Sequence, residues 1–299
     1  MWSSINTLLT NRKLPGFLFW LAGAILLAKM CTAQTAGLQP PDTVVAGNPA
    51  SIETSGAGDA TFYLLGPGHA LKQTVHLGQS INLSPNDLEI AGQYVAIVCS
   101  STCTSAHLLV TAAPVSRLSF LVHPSRVPVG PNGSISGVAL PIDKFHNLVT
   151  GPLSVNFAVK AGDSVLLSRS ANSQNGVSWF STKPGSKAGA AQITATVNDL
   201  VVHRVVQLVA SDPCNLRITA QRNTKGLIVS TEPVRDCSGN PVPDGTIVTF
   251  TATTANGKTT VDAPIKQGTA QAQVMVQGSA VISAASGVVM GNEIRAGAQ

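Results

Sequence analysis

Asp236-Cys237-Ser238-Gly239-Asn240-Pro241-Val242-Pro243-Asp244-Gly245-Thr246-Ile247-Val248-Thr249-Phe250 joins a turn-rich half to an alternating half. Gly239-Asn240-Pro241 and Pro243-Asp244-Gly245 supply what tight turns need: glycine for positive φ, proline with φ already set, and Asn or Asp bonding its own backbone. From Val248 the pattern changes. Val248, Phe250 and Ala252 alternate with Thr249 and Thr251, which puts one face of a strand on a core and the other in water.

Moving outward, the same pattern recurs 93 residues earlier. Ile135, Asp143, Asn147, Val149, Val155 and Phe157 superpose on Ile228, Asp236, Asn240, Val242, Val248 and Phe250 without a gap. Farther on, Gly176-Val177-Ser178-Trp179 aligns with Gly268-Thr269-Ala270-Gln271, and Ile193-Thr194-Ala195 with Ile282-Ser283-Ala284, after small gaps. An internal repeat of this length is one supersecondary unit used twice. Other short alternating runs, Leu118–Val122 and Leu153–Val159 among them, are separated by turn residues, and no amphipathic helical stretch competes with them. Ala112-Ala113-Pro114 and Ala210-Ser211-Asp212-Pro213, small residues closed by proline, are the candidate joints. They divide the chain into residues 34–113, 114–211 and 212–299, each the size of a β-sandwich. The expected fold class is therefore all-β: three tandem immunoglobulin-like sandwiches after an N-terminal export signal.

The stretch 236–250, followed by Gly268-Thr269-Ala270-Gln271-Ala272, resembles the bacterial immunoglobulin-like domains of the invasin/intimin repeat type. Those domains show D-x-x-G-N-P-V-P-x-G-x-x-V-x-F and then G-x-A-x-A. The resemblance is clearest over 212–299. It is weaker over 114–211, where Asp143-Lys144-Phe145-His146-Asn147-Leu148-Val149 keeps the ends of the motif and loses its glycine and proline. Over 34–113 only the general sandwich pattern is shared. There Ala91-Gly92-Gln93-Tyr94 resembles the entry to strand F, with Tyr94 either a tyrosine corner or a plain core aromatic. The resemblance implies a fold and an exported, envelope-facing location. Invasin-type adhesins also carry an outer-membrane barrel and a lectin-like tip, neither of which is expected here, so receptor binding does not transfer with the fold.

Composition agrees. Charged residues are 11% of the 299, hydrophobic 44% and aromatic 4%, with 27 Gly and 18 Pro. That is poor in the Glu and Lys of helix surfaces and rich in turn and strand formers. Arg12 and Lys13 precede the apolar run Gly16–Ala28, and Cys31-Thr32-Ala33 follows with small residues at its ends. This reads as a signal peptide over residues 1–33; the run is too short to span a bilayer. Removing it lowers the net charge from +5 to +2, because Arg12, Lys13 and Lys29 leave with no acidic residue. No basic cluster remains to suggest nucleic acid, and no membrane span is expected in the mature chain.

Four cysteines are left. An even count in an exported chain reads as disulfides, with three possible connectivities. Cys99–Cys103 and Cys214–Cys237 are expected, because each pair lies inside one domain; loop-closure entropy assigns them roughly 2 and 3 kcal/mol. Cys99-Ser100-Ser101-Thr102-Cys103 lacks the spacing of a redox or zinc pair.

Chemistry is otherwise sparse. The chain has no nucleophile elbow, zinc helix, P-loop or dinucleotide fingerprint, so no catalytic residue, metal or cofactor is expected. The mature chain has nine aromatics for three cores. Phe145 lies in a connection. Trp179 and Phe180 are neighbours in a strand, so one of them faces away from the core and toward a joint or partner, unless a bulge buries both. Ser100, Ser101, Thr102, Phe145, Trp179 and Phe180 are accordingly the candidate partner surface. The expected role is an exported, non-catalytic cell-surface, extracellular or periplasmic protein, part structural spacer and part protein-binding, adhesion-type module. Its partner would be a protein or an envelope component. A subunit of a larger envelope or filament assembly is the alternative, and an accessory of an extracellular enzyme system a remoter one.

Overall fold

The computed structural model describes residues 36–224 and 226–296. The segment read as a signal peptide, with Cys31, lies outside the described residues. The chain forms two compact units, one ending at Val110 and one beginning at Thr111. The second unit holds two sandwiches.

The first unit contains β1 (Gly37–Gln39), β2 (Thr43–Val45), β3 (Ala50–Ser55), β4 (Asp59–Gly66), β5 (His69–His76), β6 (Ile81–Leu83), β7 (Gly92–Cys99) and β8 (Cys103–Thr111). They make a three-stranded sheet, β1-β3-β6, and a five-stranded one, β2-β8-β7-β4-β5. Strict alternation on β4 and β7 sends Phe62, Leu64, Tyr94, Ala96 and Val98 inward. Tyr94 is both of the things expected of it. Its ring is fully buried, and its hydroxyl donates to the Ile90 carbonyl at 3.0 Å. Gly66 is required opposite it, since a Cβ there would overlap the Tyr94 ring.

The middle sandwich follows: β9 (Val115–His123), β10 (Arg126–Pro128), β11 (Ile135–Asp143), β12 (Ser154–Ala161), β13 (Ser164–Asn172), β14 (Ser178–Thr182), β15 (Gly189–Val197) and β16 (Leu200–Val209). Its sheets are β14-β11-β9 and β10-β16-β15-β12-β13. Phe120, Phe157 and Phe180 meet between the sheets with ring centroids 5.0–6.4 Å apart, the spacing of tilted aromatic packing. Gly137 lets them close, because a Cβ there would strike Phe180.

The last sandwich contains β17 (Ile218–Asn223), β18 (Gly226–Thr231), β19 (Ile247–Thr254), β20 (Gly257–Pro264), β21 (Gln271–Val274), β22 (Ala280–Ser286), β23 (Val289–Met290) and β24 (Ile294–Ala296). Sheets β17-β18-β21 and β20-β19-β22-β23, with β24 also on β22, repeat the middle sandwich. Phe250 takes the place of Phe157: Phe157 pairs with Ala195 and Phe250 with Ala284.

One matched pair is corrected. Ile135 is buried, whereas Ile228 is half-buried on the outward side of β18, between the buried Leu227 and Val229. The last sandwich has one extra residue near Glu232-Pro233, so β18 aligns with β11 one position out of the 93-residue shift. A one-residue slip turns every side chain to the other face.

Candidate binding surfaces and the joint that carries them

The turn motif shared by the repeats folds into the same structure twice. Asp143 Oδ1 accepts the amides of Phe145 (2.9 Å) and Asn147 (2.8 Å), and Asp236 Oδ1 accepts those of Ser238 (2.9 Å) and Asn240 (2.8 Å). The Asn147 and Asn240 side chains each donate to the Oδ2 of their aspartate at 2.9 Å. Position three of the loop needs a left-handed backbone: Gly239 supplies it at φ 85° and His146 at φ 72°. Sequence alignment shows this loop. It does not show what the second carboxylate oxygen does, which is to hold the incoming linker. Asp143 Oδ2 accepts the Ala113 amide at 2.8 Å, and Asp236 Oδ2 accepts the Ser211 amide at 3.1 Å.

Both carboxyls are buried. Burial pushes each pKa up, but the asparagine side chain and three backbone amides outweigh it, so both lie below the ordinary carboxylate value. The last sandwich adds a second tie. Asn240 Nδ2 donates to the Ser186 carbonyl at 2.7 Å, and its Oδ1 accepts the Ala188 amide at 2.9 Å. One loop thus grips its own linker and the neighbouring sandwich together. Cys214–Cys237 closes beside it. A cleft of about 580 Å³ at this joint has Arg126 and Asp212 as its only ionisable lining side chains.

The sequence alone does not say which of Trp179 and Phe180 faces inward. Phe180 is the inward one, 1% exposed, and is removed from the candidate surface; Trp179 is 50% exposed. No bulge intervenes: β14 pairs with β11 in continuous register. Trp179 lies in a cross-strand row with Val138 and Leu121, the latter 63% exposed. Leu140 and Ile142 continue the row's face along β11, and Leu148 bridges to Ile142. Arg117, on the outward side of β9, borders the patch, and Arg169 donates to the Trp179 carbonyl at 3.4 Å. The equivalent row in the last sandwich is Thr219, Ser230 and Gln271, with Gln271 Nε2 donating to Ser230 Oγ at 3.1 Å. The fold therefore does not demand apolar residues there. Leaving about half of a tryptophan in water forgoes roughly 2–3 kcal/mol of burial.

The first sandwich differs from its neighbours on the opposite sheet. Outward positions of β4 and β7 pair Tyr63 with Ile97 and Leu65 with Val95, and Leu109 of β8 lies alongside. Lys72 Nζ stands 5.7 Å from the Tyr63 ring centre. The pairs flanking Phe157 and Phe250 on that side are Asn156 with Thr196 and Ala158 with Thr194 in the middle sandwich, and Thr249 with Ala285 and Thr251 with Ser283 in the last. The disulfide Cys99–Cys103 staples the β7–β8 turn, leaving Ser100, Ser101 and Thr102 exposed. Phe145 is half-buried, with Lys144 Nζ 4.7 Å from its ring centre.

Among the described residues no group of three His, Cys, Asp or Glu is placed to hold a metal ion, and no helix is long and apolar enough to cross a membrane. No protein-family model and no curated protein matches the chain. Among solved structures it is similar to FdeC, an Escherichia coli adhesin, at 15% identity and TM-score 0.55, covering 85% of this chain and 93% of that one. Yersinia pseudotuberculosis InvD follows at 10% identity and TM-score 0.47, covering 87% and 96%, and invasin, a bacterial integrin-binding protein, at 12% and 0.46, covering 86% and 57%. The chain has the fold of the bacterial immunoglobulin-like repeat proteins that its last sandwich resembles in sequence.

Proposed function

We propose that this is an exported, non-catalytic cell-surface or extracellular protein, in which the middle and last sandwiches form a stiff spacer and exposed sheet faces and loops make adhesion-type contacts with a protein partner. The observation that carries the reading is the double grip of Asp236 and Asn240 on linker and neighbouring sandwich, which suits a load-bearing rod. The fold shared with an adhesin supports it. So do two disulfides, which persist in oxidising compartments. The test is fractionation of producing cells, with intact-mass measurement of the chain and identification of what copurifies. The expected result is a chain lacking residues 1–33, fully oxidised, in the envelope or medium. A full-length, reduced chain in the cytosol would overturn the reading.

A further inference from the structure

β17 and β18 form a hairpin whose mouth is the pair Ile218–Thr231. The linker enters on one side of that mouth, and the loop that grips the middle sandwich leaves on the other. Cys214–Cys237 joins the two sides. Hydrogen bonds run beside it: the Ser211 amide to Asp236 at 3.1 Å, and the Cys214 amide to the Arg235 carbonyl at 3.0 Å. The middle sandwich is built otherwise. Counted from the linker amide that each aspartate holds, Ser116 and Lys144 stand where Cys214 and Cys237 do. Its first strand, β9, leads into β10, which pairs in parallel with β16 from Arg126–Gln207 to Pro128–Val209. In the first sandwich β2 borders β8. β17 instead turns straight back into β18, and among the described residues no strand takes the place of β10 beside β24. The start of β17 is held to the second sheet through Asn292, whose Oδ1 accepts the Ile218 amide at 2.7 Å. Neither cysteine belongs to the core. Both are exposed, Cys237 on the 580 Å³ joint cleft and Cys214 on a second cleft of about 420 Å³.

We infer that Cys214–Cys237 is a redox-set clasp on the load path. Closed, it passes tension from the linker directly to the gripping loop and β19, and leaves β17 and β18 slack. Opened by a dithiol reductant, it hands that tension to the hairpin. The inference rests on the reading of the chain as a load-bearing spacer. Tension across a hairpin mouth breaks the cross-strand pairs one at a time, beginning here with Ile218–Thr231. A covalent bond across the mouth removes that route. Opening needs only the dithiol. One of its thiolates attacks a cysteine sulfur, the S–S bond breaks, and the other sulfur leaves as a thiolate and takes a proton. The second thiol of the reductant then displaces the mixed disulfide, so the chain ends with two thiols and the reductant with one disulfide. Exposure on two clefts gives the reductant access without unfolding.

The test is force spectroscopy of the mature chain held by its two ends, oxidised and after dithiothreitol. Alkylation with peptide mapping follows the thiols of Cys214 and Cys237 in the folded protein. The expected result is that both thiols appear while the last sandwich still unfolds cooperatively. The reduced chain then gains an extra extension of about 80 Å, the 23 positions between the cysteines at about 3.5 Å each. That step comes at a lower force than unfolding of the sandwiches, and reoxidation abolishes it. The double substitution Cys214→Ser with Cys237→Ser should show the step without reductant. Extra length that appears only together with unfolding of the whole last sandwich overturns the clasp. So does a disulfide that dithiothreitol opens only after that sandwich has unfolded. Either outcome leaves export and the stiffness of the joint untouched, since these are read from fractionation and from the distance between the sandwiches.

Discussion

Asp143 and Asp236 each accept hydrogen bonds from their own loop and from the preceding linker, so that one charged acceptor holds both. Replacing Asp236 with alanine strands those amides in a buried site, at an expected cost of about 2–3 kcal/mol in chemical denaturation. The pH dependence follows from the lowered pKa values. A carboxyl whose pKa is lower folded than unfolded stabilises fully above its unfolded value and loses that contribution as pH falls through the folded one. Acid titration of stability should therefore show a loss starting near the ordinary carboxylate range and continuing below it, and the loss should shrink in Asp236→Ala. At the same scale, Phe180→Ala should cost about 3–5 kcal/mol and Trp179→Ala clearly less, since half of its side chain is already in water. Comparable core-scale losses for both would contradict the outward placement of Trp179. The spacing of Asp and Asn in the two repeats is legible in sequence because the loop is local. The linker amides and the Ser186 and Ala188 contacts are not, because they join residues 25 to 54 positions apart.

Elements explain where the repeat is exact and where it drifts. His146 occupies the left-handed position that Gly239 fills in the intact motif, which accounts for the loss of glycine from the middle sandwich without loss of the loop. A side chain in that region costs roughly 1–2 kcal/mol, so Gly239→Ala should destabilise by about that much and His146→Gly should be neutral or stabilising; thermal unfolding of the two variants checks both signs. The missing proline is likewise explained, since Leu148 makes the bridge to Ile142 that Pro241 makes to Arg235. Alternation on β12 and β19 is read correctly from sequence because period two is strong over eight residues. The one-residue offset of β18 is not, since an identity such as Ile135 with Ile228 carries no facing information by itself. Disulfide pairing follows local closure as expected. Loop entropy assigns Cys214–Cys237 about 3 kcal/mol and Cys99–Cys103 about 2. Reduction should therefore destabilise the last sandwich more than the first, which residue-resolved hydrogen exchange can separate.

At the scale of the molecule, what distinguishes the three sandwiches is the surface of each, since their cores repeat. The middle sandwich presents a tryptophan face and basic charge, the first an apolar face and acidic charge, and the last a largely polar sheet face with the loop that grips its neighbour. None of this asymmetry is visible in overall composition, where the opposite charges of the first and middle sandwiches nearly cancel. It emerges only once strand register says which residues share a row. The spacer reading depends on the middle–last joint being held by Asn240 and Asp236 rather than by the linker alone.

That joint is also the most direct test. Spin labels placed on exposed positions of the middle and last sandwiches, Ser168 and Thr260, give a distance distribution by pulsed electron resonance in the full mature chain. The structure predicts one narrow distribution that broadens in Asn240→Ala while the fold of each sandwich is unchanged. A broad distribution in the unsubstituted protein, or a narrow one indifferent to Asn240, would contradict a stiff joint and with it the reading of these two sandwiches as a spacer.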